Sequence, residues 1–308
     1  MRWIVFVILA TATSVFAQST PPVQYTSGAQ SQALGRTIST QPSNILDASF
    51  NPASLATFRD ITTTISYAST RSGAQQLGFG VAIPIMQHGA IGLSYYGLRH
   101  DFRAFDENGR PTATQPYDLN TVVISYGWPF LKNLAVGFGA KFVHAEIGMS
   151  NSEPHDIGLS ISAFYKLPLK SSLLRNFQIG FFVNNLVQPH MRISSGRKSL
   201  PREFRIVLEK SFNFANSEVN LINNIVKFDE QEVSELRNNR EYYAYWGLQY
   251  SYRSTISLRA GLIEESFVWG SAIKLNSFMI DYAYGDYGEG LPRAFLFKHF
   301  VSVSVFID

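Results

Sequence analysis

Apolar and polar residues alternate along most of this chain with a period of two. The clearest example is Leu134–Val143, which reads Leu-Ala-Val-Gly-Phe-Gly-Ala-Lys-Phe-Val. Successive side chains of a strand point to opposite faces, so the pattern predicts strands with one apolar face and one small or polar face. Such segments recur at 61–68, 75–83, 90–101, 119–127, 134–146, 156–166, 177–187, 203–212, 218–227, 241–251, 255–263, 267–275, 277–285 and 294–307.

Fourteen segments of this length, with aromatic residues near their ends, indicate one fold. We predict an all-β protein, a transmembrane antiparallel up-and-down β-barrel of about 14 strands over residues 61–308, with 12 strands as the alternative count. The links alternate in length, which places Trp128–Asn133 in the periplasm. Arg103–Asp118, Gln188–Arg202 and Phe228–Glu241 are then predicted to be outer loops.

The N-terminal 60 residues have a different character. Residues 1–17 carry Arg2 and then an apolar stretch too short for a comfortable membrane span, which predicts a signal peptide. Residues 18–60 are rich in Ser, Thr, Gln and Pro and lack the alternation. A mature chain that leaves the cytoplasm and forms a barrel is expected in the outer membrane of a Gram-negative bacterium, in contact with its lipid.

Alternation also assigns each side chain to lipid or to lumen. Phe138 is predicted to face lipid and its neighbour Gly137 the lumen, where a serine in place of Gly137 should be tolerated. A charge facing the middle of the bilayer costs about 2–4 kcal/mol, so the charged strand residues are placed inside. They are Lys141, Asp156, Arg205, Glu209, Arg259, Lys274, Asp281 and Lys298. The last four lie on consecutive strands and are expected to form one network, which braces the barrel or binds a ligand.

Composition excludes several kinds of chemistry. The 308 residues include 24 Phe and 15 Tyr, as aromatic girdles require, but no cysteine, so no disulfide or thiolate site is available. The net charge of +3 comes without a basic block, so nucleic acid is not an expected partner. His144, Glu146, His155 and Asp156 fit no metal-ligand spacing. We therefore predict a non-enzyme without metal or cofactor.

Two short stretches carry a family resemblance. Gly28-Ala29 and Ala33-Leu34-Gly35 are followed by Asn51-Pro52-Ala53, with Ser54 where glycine is common, just before the first predicted strand. This arrangement resembles the FadL-type outer-membrane barrels, which implies that residues 18–60 fold into the lumen as a hatch. The resemblance also implies a lateral opening at a kink in the third strand, where Gly97 lies. The stretch from Ile280 to Gly288 is similar to a hairpin of the PorV/PorQ branch.

The resemblance leaves two functions open. A PorV/PorQ-type accessory protein of the type IX secretion system would bind secreted cargo or other secretion subunits at the cell surface, and the PorP/SprF branch is a variant of this reading. The alternative is a FadL-like transporter that admits hydrophobic small molecules such as long-chain fatty acids. A transporter needs an apolar pocket near the hatch, whereas an accessory protein acts through its outer loops.

Overall fold

The protein is a closed barrel of 14 antiparallel strands, which confirms the predicted fold. The computed structural model describes residues 28–307, except 71–73, 106–110, 148–154, 170, 172–173, 194–195, 230–241, 264–265 and 286–296. The predicted signal peptide therefore lies outside the described residues. Pairing of the first strand with the last closes the barrel.

Of the 16 strands in the described residues, 14 form the wall and two form a separate hairpin. The wall consists of β1 (Ile61–Thr70), β2 (Gln75–Pro84), β3 (Ala90–Phe105), β4 (Pro111–Leu131), β5 (Leu134–Ile147), β6 (His155–Lys166), β7 (Phe177–Val187), β10 (Glu203–Asn213), β11 (Ser217–Phe228), β12 (Tyr242–Tyr252), β13 (Ile256–Ile263), β14 (Ser266–Leu275), β15 (Phe278–Gly285) and β16 (Phe297–Ile307). The hairpin consists of β8 (His190–Ile193) and β9 (Gly196–Ser199), which pair only with each other.

Burial alternates along the wall as the sequence pattern predicts. Phe138 is 59% exposed on the outer surface, and the neighbouring Gly137 and Gly139 are buried on the lumenal side. Ile179 and Leu258, which alternation also places on the lipid face, are likewise exposed. An apolar outer face of this kind is stable only in contact with lipid, so the prediction of an outer-membrane β-barrel is confirmed.

The hairpin of β3 and β4 extends well beyond the other strands, so the predicted loop Arg103–Asp118 is wrong. β3 continues to Phe105 and β4 starts at Pro111, and the two strands pair along this extension. β5 joins β4 only from Tyr117 onward, so the first residues of β4 have one neighbour and form an edge. Proline is tolerated at an edge because its missing N–H breaks no second ladder.

Three short helices lie inside the barrel. They are α1 (Ala29–Ala33), α2 (Ile45–Ala48) and the 3-10 helix η1 (Pro52–Thr57), and almost all of their residues are buried. α1 packs against β13–β16, α2 against β1–β3, and η1 against β3–β6. We call residues 28–60 the hatch. Within the described ranges, no helix has the length and apolar character needed to cross a membrane.

Candidate functional site

The Asn-Pro-Ala-Ser turn anchors the hatch near β5 and β6. Asn51 precedes η1, and its side-chain amide donates to the carbonyl of Ser39 at 2.9 Å. The Ala53 N–H donates to the Ser162 hydroxyl of β6 at 2.8 Å. The Ser54 hydroxyl donates to the Asn51 carbonyl at 2.7 Å and closes the turn. The turn therefore forms with serine at the position where FadL-type barrels commonly have glycine. The turn is thus fixed both to the wall and to the rest of the hatch.

Glycines in the wall allow the hatch backbone to lie directly against the strands. A Cβ at Gly137 would overlap the backbone of Pro52 and Ala53, so the expectation that serine is tolerated there is wrong. The same holds at Gly261, where a Cβ would overlap Leu34 and Gly35. Gly35 itself has φ 71°, a conformation that costs other residues free energy. Lumenal glycines of the wall therefore form part of the surface against which the hatch packs.

A buried carboxylate of β10 binds the middle of the hatch. Glu209 is 2% exposed and accepts from the Thr40 N–H at 2.7 Å, the Thr40 hydroxyl at 2.8 Å and the Ser39 hydroxyl at 3.1 Å. Gln178 of β7 accepts a second bond from Thr40 at 3.1 Å. Because Asn51 binds the same Ser39 residue, Glu209 and the Asn-Pro-Ala turn hold one continuous segment.

A second cluster links the hatch to β10 and β11. Arg205 forms an ion pair with Glu203 at 2.5 Å, donates to the Asn224 side chain at 2.8 Å and donates to the Arg36 carbonyl at 2.9 Å. Asn224 in turn accepts from the Ile38 N–H at 2.7 Å. Of the predicted lumenal charges, Arg205 and Glu209 thus contact the hatch backbone directly.

Lys141 is also buried in the lumen but makes different contacts. It is 7% exposed, and its Nζ donates to the Asn185 side-chain oxygen at 2.8 Å. The ammonium also lies 6.0 Å from the ring centroid of Phe50 in the hatch. Lys141 therefore joins β5 to β7 and touches the hatch through an aromatic ring.

The network expected across four consecutive strands is reduced to one ion pair. Arg259 of β13 pairs with Asp281 of β15 and donates to Gln249 of β12 at 2.8 Å. Lys274 is exposed at the barrel end, 4.5 Å from the Phe306 ring. The side chain of Lys298 lies outside the described residues. Asp156, half-buried at the start of β6, is likewise not part of this pair.

The lumen is layered by polarity. We call the end with the links 85–89, 132–133, 253–255 and 276–277 the turn end, and the opposite end the loop end. At the loop end, buried apolar side chains from most of the strands form one cluster, which we call the apolar tier: Ala68, Leu98, Leu119, Val143, Val226, Phe228, Tyr243, Tyr245, Ile263, Val268, Ala283 and Phe300. Ala29 and Ala33 of α1 pack against it. Toward the turn end, many lumenal positions are Ser or Thr, for example Thr64, Ser125 and Ser304.

Sequence reasoning missed the apolar tier because it sought apolar residues on the lipid face only. The signal was present at the strand ends. In Tyr242–Tyr245, for example, both registers of the alternation are aromatic or apolar. A strand that is apolar on both faces predicts burial on both sides.

The strand kink expected at Gly97 is wrong. β3 pairs without interruption around Gly97, with Leu77 of β2 on one side and Asn120 of β4 on the other. Gly97 faces outward beneath the Tyr95 side chain, whose hydroxyl donates to Asn120 at 2.6 Å. The glycine therefore makes room for a neighbouring side chain and opens no gap.

The interruption lies instead between β6 and β7. Leu159 pairs with Val187 and Ile161 with Val183, so four steps along β7 face two steps along β6. Asn185, within this bulge, has φ 54° and turns its side chain inward to Lys141. Its N–H donates to the Ser160 hydroxyl at 3.4 Å, and Asn185 has no partner in the register of β7 with β6 or β10. We call this part of the wall, around Ser160 and Asn185, the β6–β7 seam.

A groove on the membrane face meets the seam from outside. It has a volume of about 570 Å³ and spans the outer surface of β3–β7. Its lining is apolar almost throughout and includes Ile124, Phe138, Ala140, Leu159, Ile161 and Leu186, together with Ser160 of the seam. Leu186 faces outward as a result of the bulge. The groove thus lies outside the wall at the irregular pairing of β6 with β7. On the lumenal side of the same place, Asn185 contacts Lys141, whose ammonium lies near Phe50 of the hatch.

The described part of the chain offers no metal site. No group of three or more His, Asp or Glu side chains there is arranged to hold an ion. The side chains of Glu146 and His155 lie outside the described residues.

These features define a class of protein, a 14-stranded outer-membrane barrel with a lumenal hatch. No protein-family model matches the chain, and no curated protein matches its sequence. Its structure is similar to the Ralstonia pickettii toluene transporter TbuX, with a TM-score of 0.57 and 14% identity over 91% of this chain and 98% of that chain. A mutant of the TodX monoaromatic hydrocarbon channel gives 0.59 and 12% over 92% and 98%. A Pseudomonas aeruginosa FadL homologue gives 0.57 and 11% over 95% and 100%.

The predicted FadL-type fold is therefore confirmed. At these identities the likeness concerns the fold alone. Two of these similar structures are described as a transporter and a channel. The three include no structure described as a secretion-system component, so the PorV/PorQ interpretation gains no support from them.

Proposed function

We propose that the protein is a FadL-like transporter that admits hydrophobic small molecules through the outer membrane. The observation that carries the proposal is the apolar tier. Barrels that pass water and polar solutes have polar lumenal faces, whereas a large apolar cluster lines this lumen at its loop end, beside the buried pair of Arg205 and Glu203. The structurally similar TbuX and TodX proteins are described as a toluene transporter and a monoaromatic hydrocarbon channel.

Physical chemistry explains how such a tier selects its substrate. Apolar surface leaves water with a gain of about 25 cal/mol per Å², so an apolar molecule partitions into the tier. A polar solute would lose its hydrogen bonds to water there, at a cost of about 1–3 kcal/mol per group. Phe228 and Tyr243, with ring centroids 5.8 Å apart, supply two adjacent aromatic rings.

The hatch blocks a straight path from the tier to the turn end, and the β6–β7 seam supports a lateral one. Asn185 and Ser160 hold the seam with a long 3.4 Å contact in place of regular ladder bonds. An apolar molecule that passes there reaches the membrane-facing groove without contact with water. We infer that substrates leave the lumen sideways between β6 and β7.

Uptake of an apolar probe tests the tier. In cells without their own transporter, the variant Phe228→Ser/Tyr243→Ser should take up a labelled long-chain fatty acid or toluene at least about tenfold more slowly than wild type. Each truncation removes about 1.5–3 kcal/mol of favourable burial for an apolar ligand. The amount of folded barrel is matched between strains by heat-modifiable migration on gels.

Thr121→Val is the matched control, because Thr121 is lumenal but lies one position below the tier in β4 and the change keeps its volume. This control should take up the probe like wild type. Wild-type uptake no faster than in cells with an empty vector would refute the proposal. Copurification of secreted proteins without any bound apolar molecule would instead support the secretion interpretation.

A reversible crosslink tests the seam. The chain has no cysteine, so Ser160→Cys/Asn185→Cys introduces a single possible disulfide. Oxidation should slow uptake of the apolar probe at least about tenfold, because the strands can no longer separate, and a reductant should restore it. The control pair Thr64→Cys/Ser304→Cys bridges the regular β1–β16 pairing, where the two hydroxyls are 3.0 Å apart, and should not affect uptake. Equal uptake by oxidised and reduced seam variants would exclude this route.

A further inference from the structure

The charges at the two ends of the barrel are arranged differently. At the loop end, Arg99 lies 3.8 Å from Asp118, and Arg202 lies 3.3 Å from Asp229. At the turn end, the described cationic side chains form no ion pair with a described carboxylate. They are the exposed Arg59, Lys132, Lys166, Arg175, Arg253 and Lys274 and the half-buried Lys210. Within the described residues, the turn end thus carries a group of cations that no carboxylate neutralises.

Three of these cations lie on one continuous part of the rim, which we call the cationic arc: Arg175, Lys210 and Arg253. The Lys210 ammonium donates to the carbonyl of Arg175, which joins the turn before β7 to the end of β10. The Arg253 N–H donates to the Asn216 carbonyl at 2.8 Å, which joins the turn after β12 to the turn after β10. Arg175 and Arg253 therefore belong to turns that flank the end of β10, the strand that carries Lys210.

The arc is directed toward the membrane and not toward the lumen. Lys210 alternates with the buried Glu209 and so shares the outer face of β10 with Ile206 and Leu208. Its Nζ lies 4.6 Å from the Phe212 ring centroid, on the same face. The Arg253 guanidinium lies 5.3 Å from the ring centroid of Tyr252, which also faces outward.

Membrane proteins commonly place aromatic rings at the membrane boundary and extend the charged ends of Lys and Arg past them to the lipid headgroups. Phe212, Tyr252 and the cationic arc show this arrangement. Phe214, which is 62% exposed beside the arc, adds an apolar side chain that belongs in the acyl region. The nearest described carboxylate on β11, Glu218, lies on the lumenal face. A ligand that supplies both negative charge and an acyl chain would complete this surface.

We propose that the cationic arc binds an anionic phospholipid of the leaflet at the turn end. The phosphodiester accepts hydrogen bonds from Lys210, Arg253 and Arg175, and an acyl chain packs against Phe212, Phe214 and Tyr252. The lipid ties together the turns at the ends of β7, β10 and β12, which flank the hatch-binding residues of β10. This site is independent of the proposed transport path.

Native mass spectrometry of the purified protein in mild detergent tests the site. Wild type, offered equal amounts of phosphatidylglycerol and phosphatidylethanolamine, should retain the anionic lipid preferentially. Arg175→Gln/Lys210→Gln/Arg253→Gln should lose at least tenfold of this retention, because each cation near an anionic lipid contributes about fivefold in affinity. Arg99→Gln/Arg202→Gln, which removes two cations at the loop end, should retain the lipid like wild type.

Three results would overturn the proposal. The first is equal retention of the anionic and the zwitterionic lipid by wild type. The second is unchanged retention in the triple variant, and the third is displacement of the lipid by inorganic phosphate, which would assign the arc to a free anion. Heat-modifiable migration verifies that the variants are folded. If the triple variant does not fold, Lys210→Gln alone should still reduce retention about fivefold.

Discussion

Replacing Gly137 with valine should expel η1 from its place and open the lumen. A Cβ at this position would overlap the backbone of Pro52 and Ala53, and a backbone cannot move aside as a flexible side chain can. Overpacking in a well-packed region costs about 1–3 kcal/mol, and the loss of the Ala53–Ser162 hydrogen bond adds about 0.5–1.5 kcal/mol. Single-channel recordings in planar bilayers should show a conductance well above that of wild type, and protease added from the turn side should cut the hatch.

Ala140→Val is the matched control for this experiment. Ala140 lies three residues away on the same strand but faces lipid, in the groove beside Phe138. Valine adds two methyl groups to the existing Cβ there without touching the hatch, so conductance and protease resistance should be unchanged. A closed, protease-resistant Gly137→Val variant would contradict this prediction. It would mean that the strands of the wall move to make room for the valine while the hatch stays in place.

The sequence determines the faces of the strands because alternation is a local property. Phe138 and Gly137 are assigned correctly from their positions in one strand, without knowledge of any other strand. The ends of strands are less well predicted. β4 reaches back to Pro111 only because β3 is present to pair with it, and this partner lies several residues away in the chain.

The position of the bulge shows a second limit. Glycine permits backbone distortion but does not require it, and Gly97 lies in a regular strand. Asn184 and Asn185 were the better signal, since asparagine is enriched in the left-handed conformation that Asn185 adopts. Two consecutive amides in an otherwise apolar strand need polar partners, and Asn185 finds them in Lys141 and the Pro201 carbonyl.

The lumenal charges show a third limit. Alternation places Arg205, Glu209, Arg259 and Asp281 inside, but their partners come from strands and hatch segments far away in the sequence. Lys274 has the same lumenal register and yet lies at the exposed barrel end, because it is close to the turn at 276–277. Register predicts the face of a side chain, whereas its depth depends on where the strand ends.

Removing one partner of the ion pair between Arg259 and Asp281 should strongly destabilise the barrel. Both side chains are nearly inaccessible, at 4% and 0% exposure for the whole residues. Removal of one partner from a buried pair costs about 3–5 kcal/mol because the other charge stays buried without compensation. The Gln249 side-chain oxygen, at 2.8 Å from the Arg259 Nε, would remain as the guanidinium's neutral partner in Asp281→Ala.

Asp281→Ala should therefore lower the free energy of unfolding by about 3–5 kcal/mol, measured by urea titration in lipid vesicles with tryptophan fluorescence. The double variant Arg259→Leu/Asp281→Leu removes both charges and should recover most of the loss, since no charge is left unpaired. The exposed pair of Arg99 and Asp118 provides the comparison: Asp118→Ala should cost less than about 1 kcal/mol, because solvent screens a pair whose arginine side chain is 71% exposed. Equal losses for Asp281→Ala and Asp118→Ala would show that water reaches Arg259 and Asp281, and that the lumen beside α1 is wetter than its packing indicates.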